Sequence, residues 1–180
     1  MSRAPRILLF AGSTRTGAYS GKVADVAQKE LALQGAEVTR ISLADFPLPI
    51  MNQDLESEEG VPENAAKLAR LFVAHDAVMI CTPEYNGSIP PLLKNAIDWI
   101  SRVKENGKSM RAFNGKVGCI CSSSDGHFAG IRSASHLRQV LAHIQMEVIA
   151  PQVSVPNAGE AFDESGEFKA ERLRNGMNRT

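Results

Sequence analysis

The sequence has no excess of charge. Its 180 residues carry 20 lysines and arginines against 20 aspartates and glutamates. There is no global basic field to attract nucleic acid, and no acidic bias of the kind that marks an electron-carrier docking surface. A long apolar run is also missing, and no stretch approaches the length that spans a bilayer. The opening "MSRAPRILLFAG" places two arginines before an apolar run too short for the core of a secretory signal, and Gly-Ser follows where a cleavage site would be. These absences point to the cytoplasm, with neither nucleic acid nor membrane as a partner. Cysteine is scarce and odd in number: Cys81, Cys119 and Cys121, each in an apolar, strand-like run. Cys119-x-Cys121 has neither the redox nor the zinc spacing, so three buried free thiols in a reducing compartment are expected. His75, His136 and His143 have no metal-ligand spacing either, and no metal centre is expected.

What is present is a globular composition, 43% hydrophobic and 22% charged. That suffices for a sizeable core, and the length suits one domain over residues 1–180. "RILLFA" (6–11) is a continuous apolar run ending at glycine and reads as a strand buried on both faces. "KVADVAQKELALQG" puts Val23, Ala27 and Leu31 at fourfold spacing, with Gly35 as a helix stop. "EVTRISLADFPLP" (37–49) reads as a second strand running into a proline-rich loop. "PENAAKLARLFVAHD" is a helix with Leu68, Leu71 and Phe72 on one face. "AVMICTP" (77–83) is a third strand and "PPLLKNAIDWISRV" (90–103) the next helix. "KVGCICSSS" (116–124), "IRSASHLRQVLAHIQ" and "EVIAPQVSV" (147–155) complete the series as strand, helix and strand. Strands alternating with helices in this way predict an α/β fold, a five-stranded parallel sheet with helices on both faces. Ligands of such sheets sit beyond the carboxyl ends of the strands, near the switch point. The loops after the first, third and fourth strands are therefore the informative ones.

The first loop, "GSTRTGAYSGK" (12–22), fails both nucleotide signatures. Gly12 and Gly17 have the Walker gap, but Ala18-Tyr19 follows where lysine and serine or threonine should stand. Gly12 is followed by Ser-Thr-Arg-Thr-Gly, which is not G-x-G-x-x-G. What remains is a turn rich in hydroxyls, with one arginine, at a helix start. Such a turn can cradle a phosphate through backbone amides, hydroxyls and a two-pronged arginine. It can equally be an ordinary capped helix after a flexible turn. With no lysine or metal ligand aimed at a leaving group, a phosphate held here is held without being cleaved. The second loop, "TPEYNGSIPPLLKNAIDW" (82–99), ends a strand at Pro83, turns tightly at Asn86-Gly87 and presents Glu84 and Tyr85 between them. Asp98 and Trp99 on the following helix are expected to fix that helix or to meet a second subunit. The third loop, "SSSDGHFAG" (122–130), is small and polar, so a planar ligand can lie against its backbone.

The second loop resembles the signature of the NADPH-dependent FMN reductase family, P-E-Y-N-x-S followed by L-K-N-A-I-D-W, matched from Pro83 to Trp99. The first loop is similar to the family's G-S-x-R-x-x-S-x-N pattern through Gly12, Ser13 and Arg15, and "SSSDGHFAGIRSASHLRQVL" resembles its third loop and L-R-Q helix. Similarity runs roughly from Arg6 to Val155. It implies a flavodoxin-like three-layer sandwich and an FMN-dependent oxidoreductase. Such an enzyme passes two electrons from NADPH or NADH to a quinone, azo compound or similar small-molecule electron acceptor. It implies that Ser13, Arg15 and Ser20 bind the FMN phosphate. Pro83, Glu84, Tyr85, Asn86, Gly87 and Ser88 would line the ribityl chain and the isoalloxazine edge. Ser122, Ser123, Ser124 and Gly126 would approach the opposite part of the ring. No side chain need act as a catalytic acid or base, His127 included, because the hydride chemistry belongs to the cofactor. A homodimer or homotetramer is implied, with Tyr85 and Trp99 at the contact. The alternative is an FMN-binding electron carrier or flavin-linked regulator without NAD(P)H turnover of its own. A phosphohydrolase lacks a nucleophile and a metal cluster. Two positions depart from the family pattern: Ala18 stands where relatives carry serine, and Ser20 where they carry asparagine. A looser hold on FMN is the expected consequence.

Overall fold

The computed structural model describes residues 3–109 and 111–180; Met1 and Ser2 of the opening segment lie outside it. Five strands form one parallel sheet: β1 (Arg6–Ala11), β2 (Glu37–Ile41), β3 (Ala77–Pro83), β6 (Val117–Ser123) and β7 (Glu147–Val155), in the order β2-β1-β3-β6-β7. Two short strands, β4 (Lys104–Glu105) and β5 (Lys108–Ser109), pair separately as an antiparallel hairpin. The helices are α1 (Tyr19–Leu33), α2 (Gln53–Glu59), α3 (Glu63–Ala74), α4 (Pro91–Arg102), α5 (Ile131–His143) and α6 (Glu171–Met177).

The strand sequences explain the three layers. Successive side chains of a strand point to opposite faces. In β1, Leu8 and Phe10 enter one core and Leu9 the other; in β3, Val78 and Ile80 part from Met79 and Cys81; in β6, Ile120 parts from Cys119 and Cys121. A strand apolar at every position needs cover on both faces. One face is covered by α3, α4 and α5 through residues such as Leu68, Phe72, Leu93, Ile97 and Leu137. The other is covered by α1 and α6 through Val23, Ala27, Leu173 and Met177. Phe72 joins two aromatic contacts, to Phe10 at 6.0 Å and to Phe113 at 5.0 Å between centroids.

The structure corrects one expectation outright. Trp99 is fully buried in the core of its own chain, and its indole N–H donates to Pro49 O at 2.8 Å. It therefore makes no subunit contact. Asn95, one turn earlier, donates to the same carbonyl at 2.9 Å and accepts from the Met51 amide at 2.8 Å. The L-K-N-A-I-D-W motif thus pins the proline-rich loop 46–51 against α4. Lys94 and Asp98 pair along the same helix at 2.7 Å. The three cysteines are free and buried, as expected. Hydrogen bonding to Cys121 and burial both push the Cys81 thiol up.

Candidate functional site at the carboxyl edge of the sheet

The first loop leaves β1 at Gly12, whose amide donates to Cys81 O at 2.9 Å and so prolongs the sheet. A Cβ at Gly12 would fall 3.2 Å from Leu93 and 3.3 Å from Pro83. Glycine is what lets the first loop close against the second. The loop then turns through Arg15, whose carbonyl accepts from the Ala18 amide at 3.1 Å. α1 starts at Tyr19 with Ala18 at its N-cap and no side-chain cap. An ordinary capped helix would use one of the nearby hydroxyls, and none is used. The amides of Ser13, Thr14, Thr16 and Gly17 make no hydrogen bond among the described residues, and in the first helical turn the Lys22 amide donates to Ala18 O at 3.1 Å. Ser20, 1% exposed, holds its hydroxyl buried without a partner. Unpaired donors around the positive end of a helix dipole form an anion seat. Arg15 is exposed and rests on its own loop, through Thr16 O at 3.3 Å and Gly17 O at 3.4 Å, with its guanidinium 5.8 Å from the Tyr19 ring. These long contacts leave it able to turn toward a bound phosphate.

The second loop is a rigid turn. Tyr85 and Ser88 exchange both backbone hydrogen bonds at 3.0 Å, with Asn86 and Gly87 between them at φ 50° and 77°. That is the mirror-image turn asparagine-glycine favours. The Asn86 and Gly87 amides are left without acceptors among the described residues. Glu84 faces inward to α5. Its carboxylate accepts from the Arg132 and Ser133 amides at 3.1 and 3.3 Å, and from the Arg132 guanidinium at 3.1 Å. Ser88 Oγ meets His136 Nδ1 at 3.0 Å. The loop is therefore held from α5 at both of its ends.

The third loop divides the expected serines. Ser122 is buried; its hydroxyl donates to Ala129 O at 2.8 Å and accepts from the Ser154 hydroxyl at 2.9 Å, which shapes the loop. Ser123 is buried with its hydroxyl unpartnered. Ser124 Oγ accepts from the Gly126 amide at 3.2 Å. Asp125 accepts from the Gly159 amide at 3.2 Å. A Cβ at Gly159 would stand 3.1 Å from the Tyr19 hydroxyl, so the segment after β7, the third loop and the start of α1 converge there. Arg132, His136 and Gly159 escaped the sequence reading. Their partners lie tens of residues away, and no local pattern announces them.

The hydroxyl-rich first loop, the free amides of the second and the buried free hydroxyl of the third lie side by side, because β1, β3 and β6 are adjacent strands. The family model described as NADPH-dependent FMN reductase matches residues 5–160. The chain belongs to that family. Among FMN reductase relatives, the quinone reductase of Escherichia coli (strain K12) is 39% identical over 150 residues, covering 83% of this chain and 76% of that protein. An NAD(P)H-dependent FMN reductase of Pseudomonas aeruginosa is 34% identical over 176 residues, covering 97% and 90%. The solved structure of FerB, a flavoenzyme NAD(P)H:(acceptor) oxidoreductase from Paracoccus denitrificans, superposes with a TM-score of 0.80 at 25% identity, covering 98% of this chain and 92% of that one. The two chains thus share one fold over nearly their whole lengths. The orphaned hydroxyls of Ser20 and Ser123 fit a bound FMN, which carries one phosphate and a polar ring edge. Among the described residues no helix is long and apolar enough to cross a membrane.

Proposed function

We propose that this protein is an FMN-dependent NAD(P)H oxidoreductase that passes two electrons from a nicotinamide to a quinone or similar acceptor. The observation that carries the reading is the uncapped start of α1, where free amides and the buried Ser20 hydroxyl await an anion. When bound, FMN supplies the hydride chemistry. The chain's own residues bind and orient it. Ser13, Arg15, Ser20 and the first-loop amides hold the phosphate, with the helix dipole adding to the charge complement. Pro83, Glu84, Tyr85, Asn86, Gly87 and Ser88 form the second wall. There the Asn86 and Gly87 amides donate toward the ring edge, and Glu84 acts by fixing the wall to α5. Ser122, Ser123, Ser124 and Gly126 form the third, with the Ser123 hydroxyl as its free donor. Backbone donors set near a ring that gains negative charge stabilise that charge without reorganising.

Residues 1–180 act as one domain in this reading, in the cytoplasm, as a homodimer or homotetramer. Tyr85, 49% exposed, and Phe128, 65% exposed, are large apolar side chains on the loops around the site, and they support a subunit contact there. The test is a visible spectrum of the purified protein, followed by anaerobic addition of NADPH and then a quinone. Flavin bands that bleach and return, with steady NADPH oxidation, are expected. Flavin bands without turnover would identify a carrier, and a colourless protein that cannot be loaded with FMN would overturn the reading.

A further inference from the structure

A cavity of about 440 Å³ opens at the edge of the sheet, between the second half of the third loop, the end of β7 and α6. None of its lining residues is among those given above to the flavin. Its walls are apolar: Phe128, Ala129, Ile131, Val153, Pro156 and Leu173. The lining residues include no carboxylate, and their one permanent charge is Arg172. Among the described residues Arg172 makes no hydrogen bond and no ion pair, whereas Arg174, two positions on, donates to Phe168 O and Lys169 O. An apolar cavity of about 300–1,000 Å³ with few polar groups is the usual make of a small-molecule site.

The walls are held in place without being covered. Phe128 is 65% exposed and Ile131 45% exposed. The Arg132 guanidinium stands 4.5 Å from the centre of the Phe128 ring and steadies it. Arg132 is itself tied to Glu84. Beside Phe128, Ala129 lies at φ 56° and Gly130 at φ 74°. A left-handed alanine is unfavourable, and backbone strain of this kind gathers at ligand clamps. The Ser122 hydroxyl keeps it there by donating to Ala129 O at 2.8 Å, and Ser122 accepts in turn from Ser154, a lining residue. A wall already fixed in shape loses little entropy when a ligand lies against it.

We propose that this cavity binds an amphipathic carboxylate. Its apolar chain or ring lies along Phe128, Ile131, Val153 and Leu173, and its carboxylate pairs with Arg172. The site is separate from the one given to FMN and does not depend on the oxidoreductase reading. Charge selects the head group. A cationic amphiphile would be repelled by the unpaired guanidinium, and a neutral one would leave it unpaired. A carboxylate can take both prongs of the fork. The third loop carries Phe128 on this cavity and Ser123 and Gly126 beside the flavin, so in the FMN-loaded protein a filled cavity shifts the visible bands.

The protein is titrated by calorimetry with octanoate, 1-octanol and butyrate, with octanoate kept below the concentration at which it forms micelles. Octanoate is expected to fill one site per chain and to bind at least roughly tenfold tighter than butyrate, because each methylene it buries adds up to about fourfold. It is expected to bind roughly fivefold tighter than octanol, through Arg172. Arg172→Gln should bring octanoate down to octanol and leave octanol itself within about twofold. Ile131→Glu, independently, should weaken octanoate by roughly tenfold or more, by removing apolar wall and repelling the head. A carboxylate in the first turn of α5 suits the helix, so this variant separates binding from folding. FMN affinity should stay within about twofold in both variants. Octanoate that binds no tighter than butyrate, fills many sites or displaces FMN overturns the proposal. So does an Arg172→Gln protein that binds octanoate and octanol equally weakly. An Ile131→Glu protein that binds octanoate as before also overturns it. The same holds if Ile131→Glu halves the solution mass, which would place this face between two copies of the chain. A protein that takes no FMN sinks the proposed function, while the calorimetry still decides the cavity.

Discussion

The Glu84 carboxylate and the Arg132 residue, 48 positions apart, meet twice: through the Arg132 amide at 3.1 Å and through its guanidinium at 3.1 Å. Glu84 thereby supplies the cap that α5 lacks, because Gly130 at the N-cap has no side chain to offer. The same residue that opens the second loop also anchors it. Loop position and helix stability are coupled in one carboxylate.

Glu84→Gln keeps an acceptor for the amides and removes the charge. It is expected to lower stability by about 1 kcal/mol, and Glu84→Ala by about 2 kcal/mol, by loss of a cap and a charge-assisted bond. Urea unfolding checks this. FMN affinity should fall further in the alanine variant, because the loop then keeps only two of its ties to α5 among the described residues, Ser88 to His136 and Ser133 to Pro83 O. Unchanged unfolding in both variants would show that the contact is idle.

At the far edge of the sheet, β7 breaks register against β6: Gly118 pairs with Val148, but Ile120 pairs with Gln152. The carbonyls stranded by the bulge are taken by Arg138 of α5, at 2.7 Å to Ile149 O and 3.3 Å to Val148 O. Arg138→Met keeps the aliphatic stem and removes the donors. A loss of about 2 kcal/mol is expected on chemical unfolding, since hydrogen bonds to a charged group carry about 1.5–3 kcal/mol.

That bulge shows where the sequence was legible and where it was not. β1 and β3 have the bounds that the apolar runs predict, because a strand buried on both faces is written as a continuous apolar stretch. Pro151, inside "EVIAPQVSV", is the sequence sign of that edge and bulge, since proline cannot donate to a ladder. Asn106-Gly107 was likewise a readable hairpin turn, at φ 51° and 74°. α2 and α6, seven residues each, are too short to display a helical period, and both were missed. Trp99 was misplaced because an aromatic anchor of an interface and one of a core look alike in sequence. Only its burial separates them. The first and second loops were found by residue type alone, whereas the ties that hold them, Glu84 to Arg132 and Ser88 to His136, join distant segments and leave no local trace.

Asp76 gives the fold a pH dependence of predictable sign. Its carboxylate accepts from the Arg6 amide at 2.8 Å and pairs with Arg3 at 2.6 Å. The Arg6 hydrogen bond, with Arg3 adding, holds its pKa below the ordinary value of 3.8. A depressed carboxylate stabilises the native state above its unfolded pKa, and that contribution is lost as pH falls through the folded value. Asp76→Asn should therefore narrow the stability gap between neutral and acid pH, mostly by lowering stability at neutral pH. Parallel pH profiles of the thermal midpoint for the two proteins would refute this.

Arg15→Ala should weaken FMN far more than riboflavin, because only FMN carries the phosphate. One charge-assisted contact corresponds to roughly a 10- to 150-fold loss. Stability without FMN should hardly change, since Arg15 is exposed and touches only its own loop by long contacts. Equal losses for both flavins in fluorescence titrations would place Arg15 at the ring or in the fold instead.

Ser20 yields a prediction whose two halves have opposite signs. Its hydroxyl is buried at the start of α1 with no partner. A buried polar group without a hydrogen bond is unfavourable by about 1–3 kcal/mol, and part of that is relieved when the group is removed. Alanine is also the better helix former. Ser20→Ala should therefore raise the thermal midpoint of the FMN-free protein. With FMN present the hydroxyl has a charged acceptor in reach, so the same substitution should weaken FMN by roughly 10-fold and leave riboflavin unchanged. A purely structural Ser20 would move stability alone, and a residue needed for folding would lower the midpoint. Only a hydroxyl kept for the phosphate stabilises the empty protein when removed and loosens the loaded one. Differential scanning fluorimetry without FMN, beside an FMN titration, reads both signs on one preparation. A variant with an unchanged FMN affinity would remove Ser20 from the phosphate site and leave the seat to Ser13, Arg15 and the loop amides.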